Sequence, residues 1–156
     1  MQTDIAACYK VSEVELVYKS KVKSSDRPKV TSSSDAYKIF LETWDINKIE
    51  LVEQFKIILL NRRNACLGLA EISTGGMTTC IADPKIIFVT ALKACATSII
   101  LAHNHPSGNL NPSQADIDLT SQLVQAGKML DISVLDHCIL TSEAYYSFAD
   151  ENILTL

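Results

Sequence analysis

Two histidines separated by one residue, His103 and His105, follow an apolar run and stand directly before Pro106. Alternate residues of an extended segment point to the same side, so two imidazoles at this spacing can converge on one ion. Pro106 disfavours a helical conformation at His105 and helps to hold that residue extended. The pattern therefore indicates a metal site at the end of a strand.

Asp116 is the third candidate ligand, because it lies eleven residues after His105 in the first turn of the next predicted helix. Two imidazoles and one carboxylate leave the fourth position of a tetrahedral Zn²⁺ for water, which is the arrangement of catalytic zinc. Such a site lowers the pKa of the water to about 7. We predict one Zn²⁺ per chain, held by His103, His105 and Asp116, and a hydrolase.

A zinc hydrolase also needs a base, and the best candidate is Glu71, at the end of a predicted strand. Ser113, three residues before Asp116, can face a substrate oxygen as an oxyanion donor. The same Ser-x-x-Asp spacing is close to a capping box, in which a helix caps its own amides without any chemistry. Both interpretations of Ser113 stay open here, as does a purely structural role for Glu71.

The composition of the 156-residue chain is typical of a soluble globular domain, with 47% apolar and 21% charged residues. A net charge of −4 without clustered Lys and Arg disfavours direct nucleic-acid binding. The first ten residues show no signal-peptide pattern, and no apolar run is long enough to span a membrane. Five widely spaced cysteines without a C-x-x-C pair indicate a reducing, cytoplasmic setting.

Hydrophobic patterning predicts an α/β (α+β) fold, with a mixed β-sheet between helices. Residues 1–33 predict an edge strand around Val14, Leu16 and Tyr18 and then a polar arm, and residues 34–156 predict the globular domain. Within that domain we expect a helix at 35–44, strands at 55–60 and 66–73, a helix from Asp83-Pro84, a strand at 97–102, a loop at 103–112, a helix at 113–130 and a strand at 132–140.

The segment from His103 to Asp116 closely resembles the motif of the JAMM (MPN-type) zinc metalloproteases, a distant Glu plus H-x-H-P-x₆-S-x-x-D. The run His103-Asn104-His105-Pro106-Ser107-Gly108 carries its first half, and Pro112-Ser113-Gln114-Ala115-Asp116 carries its second. Together with Leu135-Asp136-His137, residues 100–108 look like the RadC branch of that family. The resemblance runs from about Phe55 to Phe148.

This resemblance implies a JAMM fold, a layered sheet between helices similar to that of cytidine deaminases. It implies zinc ligation by His103, His105 and Asp116, and cleavage of a peptide or isopeptide bond in a protein or peptide substrate. Ser113 would polarise the scissile carbonyl, and Glu71 would be the general acid/base. For Asp136 and His137, support of the ligands or core packing is expected rather than direct ligation.

The chain departs in two ways from longer members of the RadC branch, and the first of them weakens the family's traditional label of DNA repair. Those members carry an N-terminal helix-hairpin-helix region for which we expect no room here, and a His-Pro-Arg-Glu run where this chain has Asp83-Pro84-Lys85-Ile86. The alternative function is a non-catalytic binding module with a structural metal, acting in a DNA-processing complex. A Glu71 carboxylate beyond reach of the metal site would favour that alternative.

Overall fold

The structure, a computed structural model, describes residues 10–154 apart from residues 13, 16 and 77–81. Three α-helices and five strands succeed one another along this described part of the chain. They are α1 (Ser33–Thr43), β1 (Gln54–Leu60), β2 (Cys66–Thr74), α2 (Pro84–Lys93), β3 (Ser98–Asn104), α3 (Gln114–Met129), β4 (Ser133–Leu140) and β5 (Tyr145–Ser147). A single-turn 3₁₀ helix, Ser24–Asp26, precedes them.

Side-chain caps fix where the helices begin. The Ser32 hydroxyl accepts a hydrogen bond from the Asp35 amide at the start of α1. At the start of α2 the Asp83 carboxylate accepts from the Lys85 amide, with Pro84 at the first helical turn. Such residues satisfy amides that have no partner within the helix. The helix starts therefore fall within two residues of the predicted ones.

The strands form one sheet in the order β2-β1-β3-β4-β5. Strands β3 and β4 pair in parallel, and the other neighbouring strands pair antiparallel. A parallel pair needs a crossover connection, and α3 supplies it between β3 and β4. The α/β fold with a mixed sheet between helices, predicted from the sequence, is confirmed.

Strands β1 and β3 are buried along their whole length, because helices cover both faces of the sheet. On the face covered by α1, Ala36 and Phe40 of that helix and Trp44 just after it are buried against Ile58, Leu60, Ile100, Ala102, Cys138 and Leu140 of the sheet. The opposite face packs Ile57, Leu59, Ile99 and Leu101 against residues of α2 and α3, including Ile87, Phe88, Leu123 and Val124. The candidate ligands lie at one end of this second face.

Two sequence predictions need correction. The described residues between 10 and 30 form no strand, only an isolated bridge between Lys29 and Ala65, while Leu16 lies outside the described residues. Val14 is 87% exposed, so the apolar residues of this segment have no sheet face to pack on. Second, β3 continues through Asn104 instead of ending before His103, because His103 pairs with Phe55 of β1.

No helix among the described residues combines the length and the apolar character needed to cross a bilayer. The proposed division at residue 33 stays a prediction. Val30, which precedes it, is 5% exposed and packs in the core beneath α1.

Candidate metal centre

The side chains of His103, His105 and Asp116 converge at the end of β3. The Nε2 atoms of the two histidines are 3.0 Å apart. His103 Nε2 lies 3.3 Å from Asp116 Oδ1, and His105 Nε2 lies 3.8 Å from Asp116 Oδ2. One ligand atom of each residue lies within 4.8 Å of the others, a separation that one metal ion can bridge. The structure thus brings together the three ligands predicted from the sequence.

The three ligands differ in burial because different elements carry them. The side chain of His103, within β3, is 2% exposed, whereas those of His105 and Asp116 are 17% and 15% exposed. His105 follows the last residue of β3, where its amide still donates to the Leu140 carbonyl of β4. The centre is therefore anchored inside the domain and accessible from the loop that follows β3.

Asp116 is held by the capping box at the start of α3. The backbone amide and the hydroxyl of Ser113 both donate to Asp116 Oδ2 at 2.7 Å, while the Asp116 amide donates to Ser113 Oγ. Burial by itself would raise the pKa of Asp116, but the neighbouring His103 ring and the hydrogen bonds from Ser113 outweigh it and lower that pKa. Asp116 is therefore ionised, with Oδ1 facing the histidines.

The capping interpretation of Ser113 is confirmed by this geometry. Its hydroxyl donates its single proton in a hydrogen bond to Asp116, so Ser113 fixes the rotamer of a candidate ligand. Its role as an oxyanion donor stays a prediction.

His105 presents a lone pair to the centre. Its Nδ1 contacts the carbonyl oxygen of Asn109, which can only accept, so Nδ1 carries a proton, and in the neutral imidazole Nε2 is then the nitrogen with the lone pair. The centre therefore combines an imidazole nitrogen aimed inwards with an ionised carboxylate. Such nitrogen and oxygen donors suit a divalent cation of intermediate softness, and the residues present fit a zinc ion.

A buried polar pair stands behind His103. His137 Nε2 lies 2.8 Å from His103 Nδ1, and His137 Nδ1 lies 2.6 Å from the Thr120 hydroxyl. Burial, and secondarily the charge of His103, hold the pKa of His137 well below its ordinary value, so the ring is neutral. His137 thus contacts a ligand and is not itself part of the ligand cluster.

The neighbouring Asp136 organises the backbone around His137. Its carboxylate accepts hydrogen bonds from the His137 amide at 2.7 Å, the Ser147 hydroxyl at 2.6 Å and the Ala149 amide at 2.9 Å. Asp136 is 4% exposed, and these three donors satisfy a charge that would otherwise be costly to bury. It therefore fastens the C-terminal segment to β4.

Glu71 is not brought to this centre. It pairs with Lys56 across β1 and β2, and Lys56 pairs with Ala102 across β1 and β3. Directly opposite residues share a face, and Ala102 and His103 face opposite ways, so Glu71 lies on the α1 side of the sheet. Its carboxylate accepts from Gln54 Nε2 at 3.1 Å and also from the Thr74 hydroxyl.

Glu53 is the carboxylate that the sequence reasoning missed. Phe55 pairs with His103, and Glu53, two residues before Phe55, lies at the same end of the sheet as His105. Glu53 is half-buried and interacts electrostatically with all three candidate ligands. Burial raises the pKa of Glu53, as does the charge of Asp116, whereas the two histidines lower it. The sequence feature that could have indicated Glu53 is its position just before β1, the strand that pairs with β3.

Asn104, between the two histidines, holds the segment that carries Glu53. Its Oδ1 accepts from the Gln54 amide at 2.7 Å, and its Nδ2 donates to the carbonyls of Ile49 at 2.7 Å and Val52 at 2.9 Å. Asn104 is fully buried, so these bonds meet no competition from water. One residue therefore ties the chain before β1 to the end of β3.

A cleft of about 340 Å³ borders the centre on its accessible side. Its lining residues are Ile49, Glu50, His105, Pro106, Ser107, Gly108, Thr141, Ser142 and Glu143. Gly108 adopts a φ of 81°, which a side chain would strain, and its amide donates to the His105 carbonyl. This tight turn shapes the wall of the cleft next to His105.

The fold and the centre define a class of protein: an α/β domain with a His-His-Asp cluster, suited to a metal ion, at the end of a central strand. The RadC-like JAB domain family matches residues 30–153, most of the chain. The protein belongs to this family. The JAMM-type, RadC-like relationship expected from the sequence motif is thereby confirmed.

Curated relatives agree with this assignment. A UPF0758 protein of Flavobacterium johnsoniae is 44% identical over 125 residues, covering 80% of this chain and 53% of the relative. UPF0758 proteins of Symbiobacterium thermophilum and Thermosynechococcus vestitus are 42% identical over 104 residues and 46% identical over 101 residues, covering 67% and 65% of this chain and 44% and 40% of those relatives. The chain spans about half the length of the curated relatives it matches. None of these names states an activity.

Proposed function

We propose that the protein is a zinc-dependent hydrolase that cleaves a peptide or isopeptide bond in a protein or peptide substrate. The observation that carries the proposal is the convergence of His103, His105 and Asp116, with Glu53 close enough to interact electrostatically with all three. Membership of the RadC-like JAB domain family supports the proposal. The cleft beside His105 gives an extended substrate a way to the centre.

A bound zinc ion would polarise the substrate carbonyl and lower the pKa of a water molecule to about 7. Glu53, which is half-buried, then accepts a proton from the attacking water and delivers it to the leaving nitrogen. Its raised pKa suits a group that must both take and give a proton near neutral pH. Asp116, kept ionised by Ser113, holds its place as a ligand throughout.

Ser113 is assigned a second role in this proposal. It lies at the mouth of the centre, where it is exposed, and its hydroxyl can rotate from Asp116 toward a substrate oxygen. The backbone amide of Ser113 keeps its own bond to Asp116 while the hydroxyl turns. The ligand therefore stays oriented when the hydroxyl donates to the developing oxyanion.

A non-catalytic metal-binding module is the second candidate, and the placement of Glu71 favours it. The carboxylate chosen from the sequence as the base lies on the opposite face of the sheet, bonded to Gln54 and Thr74. If Glu53 does not serve as the base, the cluster can hold a metal without any means of moving a proton. Variants of Glu53 and Glu71 can therefore distinguish the hydrolase from the non-catalytic module.

The experiment compares wild type with Glu53→Gln and Glu71→Gln, a matched pair that makes the same chemical change beside the centre and away from it. Each zinc-loaded protein is incubated with an unbiased peptide library and a panel of isopeptide-linked conjugates, and the products are read by mass spectrometry. Zinc content is measured in parallel by elemental analysis. We expect all three proteins to hold about one zinc per chain.

We expect cleavage by wild type and Glu71→Gln, and a loss of at least about 100-fold in Glu53→Gln, since proton transfer by a positioned side chain contributes roughly 10²–10⁴-fold. Cleavage that survives in Glu53→Gln and disappears in Glu71→Gln would overturn the role of Glu53. If the zinc-loaded wild type cleaves nothing in the peptide library or the conjugate panel, the hydrolase proposal is wrong and the metal-binding module is favoured.

A further inference from the structure

His103 makes a second contact that points away from the metal centre. Its Nδ1 lies 2.8 Å from His137 Nε2, and the far side of His137 meets the Thr120 hydroxyl at 2.6 Å. His103, His137 and Thr120 are each at most 2% exposed, so none of these contacts is shared with bulk water. The direction of each hydrogen bond is therefore set by the protein alone.

The hydroxyl of Thr120 fixes the direction at one end of this chain of contacts. Its Oγ1 lies 2.6 Å from the backbone carbonyl oxygen of Asp116, one helical turn earlier. A carbonyl has no proton to give, so the hydroxyl proton must lie between these two oxygens. Toward His137, Oγ1 can then only accept, and His137 Nδ1 carries the proton. Only this arrangement makes both short contacts of Thr120 hydrogen bonds.

The remaining directions follow from the chemistry of imidazole. A neutral ring carries one N–H, so His137 with its proton on Nδ1 offers a lone pair at Nε2. His137 is fully buried, and the rings of Phe148 and Phe55 lie 4.8 and 5.6 Å from its own. No carboxylate forms a hydrogen bond to its ring among the described residues, and an unpaired imidazolium at such a place is disfavoured. His103 Nδ1 is therefore the donor, and its Nε2 holds a lone pair aimed at the centre.

We infer that Thr120 and His137 are positioning residues that fix His103 as the Nδ1–H tautomer, and so keep its Nε2 ready to bind a metal before any metal arrives. Ligand histidines commonly donate their second N–H to a carboxylate, a carbonyl or water. Here the acceptor is a neutral imidazole, whose own tautomer is set by a hydroxyl on the helix that carries Asp116. Two of the three ligands are thereby linked through Thr120.

The inference rests on the metal-binding part of the proposed function and not on hydrolysis. It is tested in the metal-free protein by ¹H–¹⁵N correlation spectra of the imidazole groups, in which protonated and unprotonated ring nitrogens are well separated. The chain has three histidines, His103, His105 and His137, so every imidazole signal belongs to this network. We expect His103 and His137 each to carry the proton on Nδ1.

The decisive variant is Thr120→Val, which keeps the shape of the side chain and removes the hydroxyl. His137 then loses the acceptor for its Nδ1 proton, so the proton moves to Nε2, and His103 is driven to carry its own on the nitrogen that binds metal. We expect the tautomer signals of both rings to change and zinc affinity, measured by competition with a chelating dye, to fall about 10- to 100-fold. Thr120→Ser, which restores a hydroxyl, should restore both readouts.

Thr90→Val is the matched control, because the Thr90 hydroxyl makes the same kind of bond to a carbonyl one turn earlier, in α2. It should leave the imidazole spectra and the zinc affinity unchanged. A proton on Nε2 of His103 in the metal-free wild type would overturn the inference. So would unchanged tautomers and unchanged zinc affinity in Thr120→Val. Neither readout uses cleavage, so failure of the proposed hydrolase leaves this test intact.

Discussion

The backbone amide of Gln54 donates to the side-chain oxygen of Asn104 at 2.7 Å, joining the first residue of β1 to the last residue of β3. This bond and the two that Asn104 donates to the Ile49 and Val52 carbonyls hold the segment carrying Glu53 against the histidine strand. Asn104, which lies between two candidate metal ligands, thus uses its own side chain to hold the chain segment that precedes β1.

Replacing Asn104 with Leu should damage both the fold and the position of Glu53. The substitution leaves one amide and two carbonyls without partners, and each buried unsatisfied group costs about 1–3 kcal/mol. We expect the free energy of unfolding in urea to fall by about 3 kcal/mol or more. Asn47→Ala, which removes an exposed bond to Asp45, should change it by under about 0.5 kcal/mol. Equal effects of the two substitutions would contradict this account.

Loss of Asp116 should remove the metal without removing the helix. In Asp116→Asn the ionised oxygens become a neutral amide, a far weaker ligand for a divalent cation. We expect zinc content after dialysis to drop from about one per chain to near zero, as it should in the double variant His103→Ala, His105→Ala. Asp118→Asn, on the same helix, where Asp118 accepts a hydrogen bond from Gln114, is the control and should keep its zinc. Zinc retained at the wild-type level in Asp116→Asn would exclude this carboxylate as a ligand.

Stability of the metal-free protein should fall as the pH drops below about 6.5, where an ordinary histidine begins to charge. The folded pKa of His137 is depressed, so between the two pKa values the unfolded chain binds a proton that the folded protein refuses. The stabilisation is complete above the unfolded pKa and is lost on acidification, by up to about 1.4 kcal/mol per pH unit.

Urea unfolding between pH 5 and pH 7.5, with a chelator present, measures this dependence. Glutamine at position 137 takes up no proton. In His137→Gln, the decrease in the free energy of unfolding per pH unit below pH 6.5 should therefore be smaller by up to about 1.4 kcal/mol, the contribution of one proton. The depressed pKa of Asp116 acts at lower pH, since that carboxylate is protonated only below the ordinary range of an Asp. An unchanged slope in His137→Gln would show that another group is responsible.

Gly127→Ala should destabilise the protein, although Ala is the better helix former by about 1 kcal/mol. A Cβ at Gly127 would lie 2.3 Å from the Ile132 carbonyl oxygen, so the end of α3 could no longer approach the start of β4. We expect the midpoint of thermal unfolding to fall. Gly68→Ala in β2 is the control, because nothing lies within 4 Å of its added Cβ. A higher midpoint in Gly127→Ala would mean that the backbone moves to make room.

Local spacing explains why the ligands could be predicted from the sequence. His103, His105 and Asp116 lie within one strand end and the first turn of the next helix. Ser113 indicates where that helix begins, because serine is a favoured N-cap residue. Their relative positions depend on the geometry of a short segment, which strand alternation and helix capping describe well.

The proposed base could not be predicted in the same way, because its position depends on which strands pair and in which register. Glu71 sits in a strand next to β1, and the sequence does not tell which face it occupies. A register irregularity between Phe55 and Lys56 shifts the pairing with β2, and a one-residue slip sends a side chain to the other face. Glu53 precedes its strand and carries no motif of its own. Only the pairing of Phe55 with His103 shows where it lies.

The unequal burial of the three candidate ligands should set the order in which they release a bound ion. His103 is locked inside the sheet by β1 and His137, whereas His105 and Asp116 sit in partly open elements at the cleft. A chelator should reach an ion at this centre from the side of the cleft, where His105 and Asp116 are partly exposed. The rate of metal exchange should therefore follow the opening of the turn from Pro106 to Gly108, on the timescale of loop motion, and not the far slower unfolding of the sheet.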